Sequence, residues 1–359
     1  MISSLNMKLA ILGDTHFGMR SDSVAFQDYA EHFYSTVFFP YLVEHGIKTI
    51  IQVGDFFDRR KYINFLTYKK TLDCFIKRLE EFDIQLLVFV GNHDTYFKNT
   101  NDVNSVDLLL RRFPNVQIID KPSVVFDKIC LIPWIADDTY YDTLDFINNT
   151  KASICMGHFD IVGFSMYKGM PSQEGLDRSV FDKFDLTLSG HYHHRSKQGN
   201  IVYVGTPMQI TWQDYNDPKG FHILDTNTLQ LDFIENPYEM FHQIIYDDKN
   251  LSIAQINEID VAPYKNTYVK VIVDNKTNPY LFDKFLGRLY DADPIDVTIA
   301  EDFTEVGTEE DDDMVDQAED TLTIINKFID TNTSEDINTS KLKVMLREMY
   351  NEAMNRDNL

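Results

Sequence analysis

The chain predicts an α/β fold built on mostly parallel strands, and three observations carry that expectation. Five apolar, β-branched runs (Leu9–Leu12, Thr49–Val53, Leu86–Val90, Ile154–Met156 and Leu186–Leu188) are each followed by a short His/Asp/Asn cluster. Continuous apolar runs of this length are what strands buried on both faces require. Amphipathic stretches lie between them, as at 65–82, where Leu72, Phe75, Ile76 and Leu79 recur at helical spacing. A hydrophobic content of 43% over 359 residues supplies real cores for about two domains.

Taken in order, the strand at 9–12 leads into an aromatic-rich helix from about Ser23 to Glu44. The strand at 49–53 is followed by a basic loop and the helix at 65–82, then a strand at 84–90. A short helix near 106–112 precedes brief strands at 116–119, 124–126 and 129–132. Strands at 201–204, 221–224 and 229–234 are expected to be antiparallel and to close a second sheet beyond the last cluster. Asn236-Pro237 marks a boundary, so residues 1–235 form one α/β domain. Residues 236–300 read as a small α+β domain, with strands near 243–246, 268–273 and 295–299 and a helix at 279–289. From Glu301 to Asp320 there are eleven acidic residues and no Lys or Arg, which reads as a solvated linker. Residues 321–359 carry two amphipathic helices whose apolar faces need a partner or the body of the protein.

The formal net charge is −24, and the acidic linker supplies 11 of it. A polyanion does not adhere to DNA by charge alone. No apolar run reaches the length of a membrane span, and the first residues lack the pattern of a signal peptide. The three cysteines, Cys74, Cys130 and Cys155, sit in apolar segments and read as reduced core thiols of a cytoplasmic protein.

The clusters carry the chemistry. They are Asp14-Thr15-His16, Gly54-Asp55-Phe56-Phe57-Asp58, Gly91-Asn92-His93-Asp94, Gly157-His158 and Gly190-His191-Tyr192-His193. Singly each is weak, since Gly and Asn also favour plain turns. Five in this order, each after an apolar run, are not an accident. Ligands of open α/β sheets bind outside the carboxyl ends of the strands, so all five loops are expected on one sheet edge. Carboxylate, amide and imidazole donors without thiolate suit Mn²⁺, Fe²⁺ or Zn²⁺. Their number fits two metals about 3.5–4 Å apart, the usual arrangement for hydrolysing phosphate esters through a bridging hydroxide.

Asp14 and His16, two positions apart on an extended segment, present to one metal together. Asp55 is the candidate bridging carboxylate, and Asn92 offers a neutral oxygen. His191 and His193 each reach a different metal, and His158 completes the second site. His93, beside a ligand yet spare, is the candidate general acid, with Asp58 expected to accept its other ring proton. Arg59, Arg60 and Lys61 are the candidate DNA-backbone contact. Tyr96 and Phe97 read equally as base-stacking or core residues, and His194 as an exposed loop histidine.

This order of motifs resembles the calcineurin-like metallophosphoesterase superfamily, which implies a two-sheet α/β sandwich. Within it, Leu131-Ile132-Pro133-Trp134, Tyr203-Val204-Gly205-Thr206-Pro207 and Asp217-Pro218-Lys219-Gly220-Phe221 are similar to SbcD-type nuclease subunits of double-strand-break repair and recombination, particularly those of tailed phages. The resemblance implies a Mn²⁺-dependent exonuclease and endonuclease acting on duplex ends, single strands and hairpins. Carried onto this chain, it puts Asp14, His16, Asp55 and His193 on one metal and Asp55, Asn92, His158 and His191 on the other. It also implies a homodimer bound to an SbcC-type coiled-coil ABC ATPase, with residues 321–355 in the docking position. For a phage protein the compartment is the bacterial host's cytoplasm. A stand-alone phosphodiesterase or phosphatase for small or protein substrates is the alternative, and a non-catalytic scaffold a third reading. The complete ligand set weighs against the scaffold.

Overall fold

The computed structural model describes residues 7–167, 170–173, 175–300 and Leu342. Strands β1 (Lys8–Leu12), β2 (Thr49–Gln52), β3 (Gln85–Phe89) and β4 (Val116–Ile119) lie parallel to one another in a first sheet. A second sheet begins with β5 (Ser123–Val125), β6 (Ile129–Ile132) and β7 (Ile154–His158). The hairpin β8 (Ser165–Tyr167) and β9 (Met170–Pro171) stands apart from both. Then β10 (Leu186–Gly190), β11 (Ser196–Gln198) and β12 (Ile201–Tyr203) complete the second sheet, in the order β11-β12-β10-β7-β6-β5.

One expectation for the closing strands fails. β12 does join the second sheet, antiparallel to β11 and parallel to β10. β13 (Gly220–Asp225) and β14 (Leu231–Glu235) do not close the second sheet. They return to the first, antiparallel beside β1, giving β14-β13-β1-β2-β3-β4. The physical reason is an open edge: with β2 on one side of β1, the other side is free to pair.

Alternation along the strands builds a sandwich. Leu9, Ile11, Ile51, Val53, Leu87 and Phe89 of the first sheet pack on Leu131, Ile154, Met156 and Leu188 of the second. The opposite face of the first sheet (Ala10, Leu12, Ile50, Leu86, Val88) is covered by helical stretches 24–44 and 65–81 through Phe33, Phe38, Phe75 and Leu79. Both stretches contain one wider π-type turn, at Tyr34–Phe38 and Leu72–Ile76. A helix at Tyr140–Asn149, not expected from the sequence, puts Ile147 against the outer face of the second sheet. All three cysteines are buried free thiols.

Beyond Asn236, β15 (Phe241–Asp247), β16 (Tyr268–Asn275) and β17 (Asp296–Ala300) form a three-stranded sheet. The helix Pro279–Tyr290 covers it with Phe282, Phe285 and Leu289. Phe241 and Tyr268 also pack at a tilt against Phe26, seating this sheet on the sandwich. The acidic linker at 301–320 and the helical pair expected in 321–359 fall outside the described residues, Leu342 excepted. Among the described residues, no helix is long and apolar enough to cross a membrane.

Candidate metal centre

The five clusters meet, and they come from both sheets. β1, β2 and β3 deliver Asp14, His16, Asp55 and Asn92, while β7 and β10 deliver His158, His191 and His193. The expected single sheet edge is therefore one edge of the whole sandwich. Asp14, His16, Asp55, Asn92 and His158 are at least 94% buried.

Two groups of donors form. In one, Asp14, His16 and His193 bring ligand atoms within 4.8 Å of one another; in the other, Asp55, His158 and His191 do the same. Asp55 lies between them: its Oδ2 is 3.3 Å from His158 Nε2 and 4.0 Å from His16 Nε2. Asn92 Oδ1 is 2.8 Å from His158 Nε2 and 3.0 Å from His191 Nδ1. Each group holds three of the four residues of one ligand set implied by the resemblance, with Asp55 beside the first group and Asn92 beside the second.

The backbone reaches this arrangement at a cost. His16, Asp55 and His191 have φ of +42°, +51° and +84°, a left-handed conformation that non-glycine residues rarely adopt. Such outliers cluster at functional sites because the surroundings over-determine them. Here the surroundings are specific. Asp14 accepts from His191 N at 2.9 Å, and Asp55 Oδ1 accepts from His93 N at 2.8 Å. Asp94, to which the sequence pattern assigns no role, is buried and accepts from the main-chain N–H of Phe56, Phe57 and Gly91 at 3.0–3.1 Å. It ties the second ligand loop to the third. Burial, then the Asp55 charge, pushes its carboxyl up to about 7. Gln52 Nε2 similarly donates to the carbonyls of Gly13 and Gly54.

The donor chemistry fits divalent cations. His158 Nδ1 contacts the Val53 carbonyl at 2.8 Å and His16 Nδ1 faces the Asp58 carboxylate at 3.2 Å. Both contacts leave Nε2 as the ligating nitrogen, the outer-shell pattern of metal-binding histidines. His16 Nε2 then faces His193 Nε2 at 3.1 Å. Two lone pairs at that distance repel unless a proton or a cation lies between them. Burial alone would depress His16 and His158, but the carboxylates around them outweigh it and hold each up to about 9. Burial, reinforced by these same two rings, pushes His191 down to about 3 and His193 well below its ordinary value. Each half of the site thus stabilises one positive charge, where a dication would sit.

One expectation is corrected. His93 Nδ1 contacts Asp58 at 2.7 Å through the main-chain carbonyl, not the carboxylate. The carboxylate lies instead on the His16 side, 3.2 Å from Nδ1. His93 is otherwise placed as expected, beside the ligands, with its ring 4.9 Å from that of His16.

The basic loop leads out of the site. Arg59 lies over the Tyr62 ring and 3.6 Å from Asp22, Arg60 is half-buried and Lys61 is exposed. Tyr96 and Phe97 are both exposed, so core packing is not their role. His194 is not an exposed loop residue: its Nδ1 is 2.6 Å from Asp217 Oδ2. Trp134, at the end of the Leu131-Ile132-Pro133-Trp134 motif, places its ring 5.3 Å from His191 and 5.9 Å from His158.

A family model of calcineurin-like phosphoesterases matches residues 7–195, just over half of the chain. The chain belongs to this family. Exonuclease subunit 1 of Enterobacteria phage T4 is 36% identical over 270 residues, covering 74% of this chain and 77% of that protein. The SbcD component of the SbcCD nuclease of Staphylococcus saprophyticus is 22% identical over 215 residues, covering 52% and 57% respectively. As a calcineurin-like phosphoesterase, the chain is a metal-dependent phosphoesterase, and its sandwich is the two-sheet architecture the resemblance implied.

Proposed function

We propose that this phosphoesterase is a two-metal DNA nuclease of the SbcD type, the nuclease subunit of a double-strand-break repair and recombination complex. One observation supports the reading: two neighbouring donor groups, Asp14, His16, His193 and Asp55, His158, His191, lie side by side with the Asp55 carboxylate between them, in a chain whose relatives are an exonuclease subunit and a nuclease subunit. Asp14, His16, Asp55 and His193 hold one ion; Asp55, Asn92, His158 and His191 hold the other. Two divalent ions, Mn²⁺ in this reading, supply the positive charge that a phosphodiester and its attacking water require.

The protein's own groups do the rest. Asp58 fixes two histidines at once, orienting His16 with its carboxylate and His93 with its carbonyl. With Nδ1–H donated to that carbonyl, His93 keeps Nε2 for the proton that the departing sugar oxygen takes up. Arg59, Arg60 and Lys61 hold the DNA backbone beside the bridging ligand. Residues 321–355 dock a coiled-coil ABC ATPase of the SbcC kind, and two copies of the chain work together.

The acidic balance of −24 favours the alternative, a stand-alone phosphodiesterase for small or protein substrates. End-labelled linear duplex incubated with Mn²⁺, beside bis-p-nitrophenyl phosphate, separates the two. Release of nucleotides by the chain, alone or once the ATPase is added, is the expected result. Hydrolysis of the small diester with intact duplex under both conditions overturns the nuclease reading. Deleting residues 321–359 should abolish ATPase binding while leaving the small-diester activity.

A further inference from the structure

A third group of metal-type donors lies just outside the site, made by His194, Asp214 and Asp217. The protein fills it with its own cation. Lys219 Nζ is 2.6 Å from Asp214 Oδ1 and 2.7 Å from Asp217 Oδ2, with the Lys219 and Asp214 side chains each 2% exposed. Its third donor goes to the main-chain carbonyl of His193 at 2.9 Å. All three N–H groups of the ammonium are therefore satisfied. Asp214 is itself held by the N–H groups of Ile210 and Thr211, and Asp217 by the His194 ring.

Stability does not account for this network. Taking charges out of water costs several kcal/mol per ion, and apolar replacements of buried ion groups are often neutral or stabilising. Placement does. Lys219 immediately precedes β13, which pairs with β1, the strand that delivers Asp14 and His16. His193 arrives from β10 in the other sheet. The ammonium thus joins the first sheet to the carbonyl of a ligand carried by the second, at the half-site of Asp14, His16 and His193, which like its neighbour gathers ligands from both sheets. Thr206 N, at 3.1 Å, is the other donor to that carbonyl.

We infer that Lys219 is a positioning residue, fixing the His193 main chain so that its ring completes the half-site of Asp14 and His16. The inference rests on the metal-centre reading above, and its test reads metal binding rather than turnover. Mn²⁺ is titrated into the full chain by calorimetry, with free Mn²⁺ followed by electron paramagnetic resonance. Wild type should bind two ions. Lys219→Met should keep one at wild-type affinity and weaken the other by about 10–100-fold, the usual effect of losing an outer-shell partner. His193→Ala marks which ion that is.

Lys219→Met leaves two carboxylates buried without their cation and can unfold for that reason alone. The triple variant Asp214→Asn, Lys219→Met, Asp217→Asn removes the whole charge set, and the same selective weakening is expected from it. A folded variant that binds both ions as wild type does overturns the inference, as does equal weakening of both. Failure of both variants to fold also overturns it, making the network a requirement of the fold. A wild type that binds no Mn²⁺ would sink the metal reading itself.

Discussion

Asp58 places a carboxylate oxygen 3.2 Å from Nδ1 of His16, whereas its contact with His93 runs through the main chain. On this ground we propose for its side chain a part in metal binding rather than in proton transfer. The contact with His93 uses the main chain and survives any substitution of the side chain. Asp58→Ala should therefore weaken binding of the ion held by His16 by about 10–100-fold. At saturating Mn²⁺ much of the turnover should return. Unchanged metal affinity with turnover lost at every metal concentration would restore the Asp58–His93 dyad.

His93→Ala addresses the other half of that relationship. A general acid contributes roughly 10²–10⁴-fold to the rate, so the variant should lose about that much in kcat while still binding two ions. The competing role is concrete, because His93 lies with His16 and Asp58 in a further group of converging donors. Loss of one ion in a Mn²⁺ titration would make His93 a ligand.

The site was largely legible in the sequence because its donors are local. Each ligand follows its strand within a few residues, so a strand-end motif and its chemistry travel together. The partition of His191 and His193 between two half-sites followed from their spacing of two. What stayed hidden depends on contacts between distant segments. β13 and β14 read correctly as strands, but which sheet they join is decided by the open edge beside β1, more than 200 residues earlier. Asp58 was correctly placed near His93, yet whether carboxylate or carbonyl meets the ring is a matter of local backbone geometry. Lys219 looked like part of a motif without chemistry, since nothing in a linear pattern shows that a lysine is buried. The helix at Tyr140–Asn149 is only ten residues long and fully buries only Thr143 and Ile147, with Leu144 and Phe146 half-buried beside them, so its core-facing stripe was easily passed over.

Close backbone approach gives a further expectation. Gly54 has φ +102°, and a Cβ there would lie 2.3 Å from Nδ1 of His158. That nitrogen is committed to the Val53 carbonyl, so the ring has no free direction in which to retreat. Gly54→Ala should lower stability by about 1–3 kcal/mol from overpacking alone and weaken the ion held by His158. Gly46→Ala is the control, with φ +64° and open space around the added methyl. It carries backbone strain without touching the site, so its melting temperature should fall while Mn²⁺ affinity holds. Equal metal affinities in the two variants would show that Gly54 matters only to the backbone.

The basic loop should reveal itself through salt. Each phosphate contact contributes about 0.9 to the slope of log K against log salt on duplex DNA. The three residues are not equivalent here. Arg59 is engaged by Tyr62 and Asp22, and Arg60 is half-buried, with burial drawing its guanidinium below the ordinary value. Lys61 is exposed. Lys61→Glu should therefore reduce the slope by roughly one contact while leaving the melting temperature unchanged. Arg59→Glu should reduce the slope and also lower stability, because it sets a carboxylate against Asp22. Fluorescence anisotropy with labelled duplex across a salt series measures both slopes. If neither slope moves, the loop is solvated surface and the DNA path lies elsewhere on the sandwich edge.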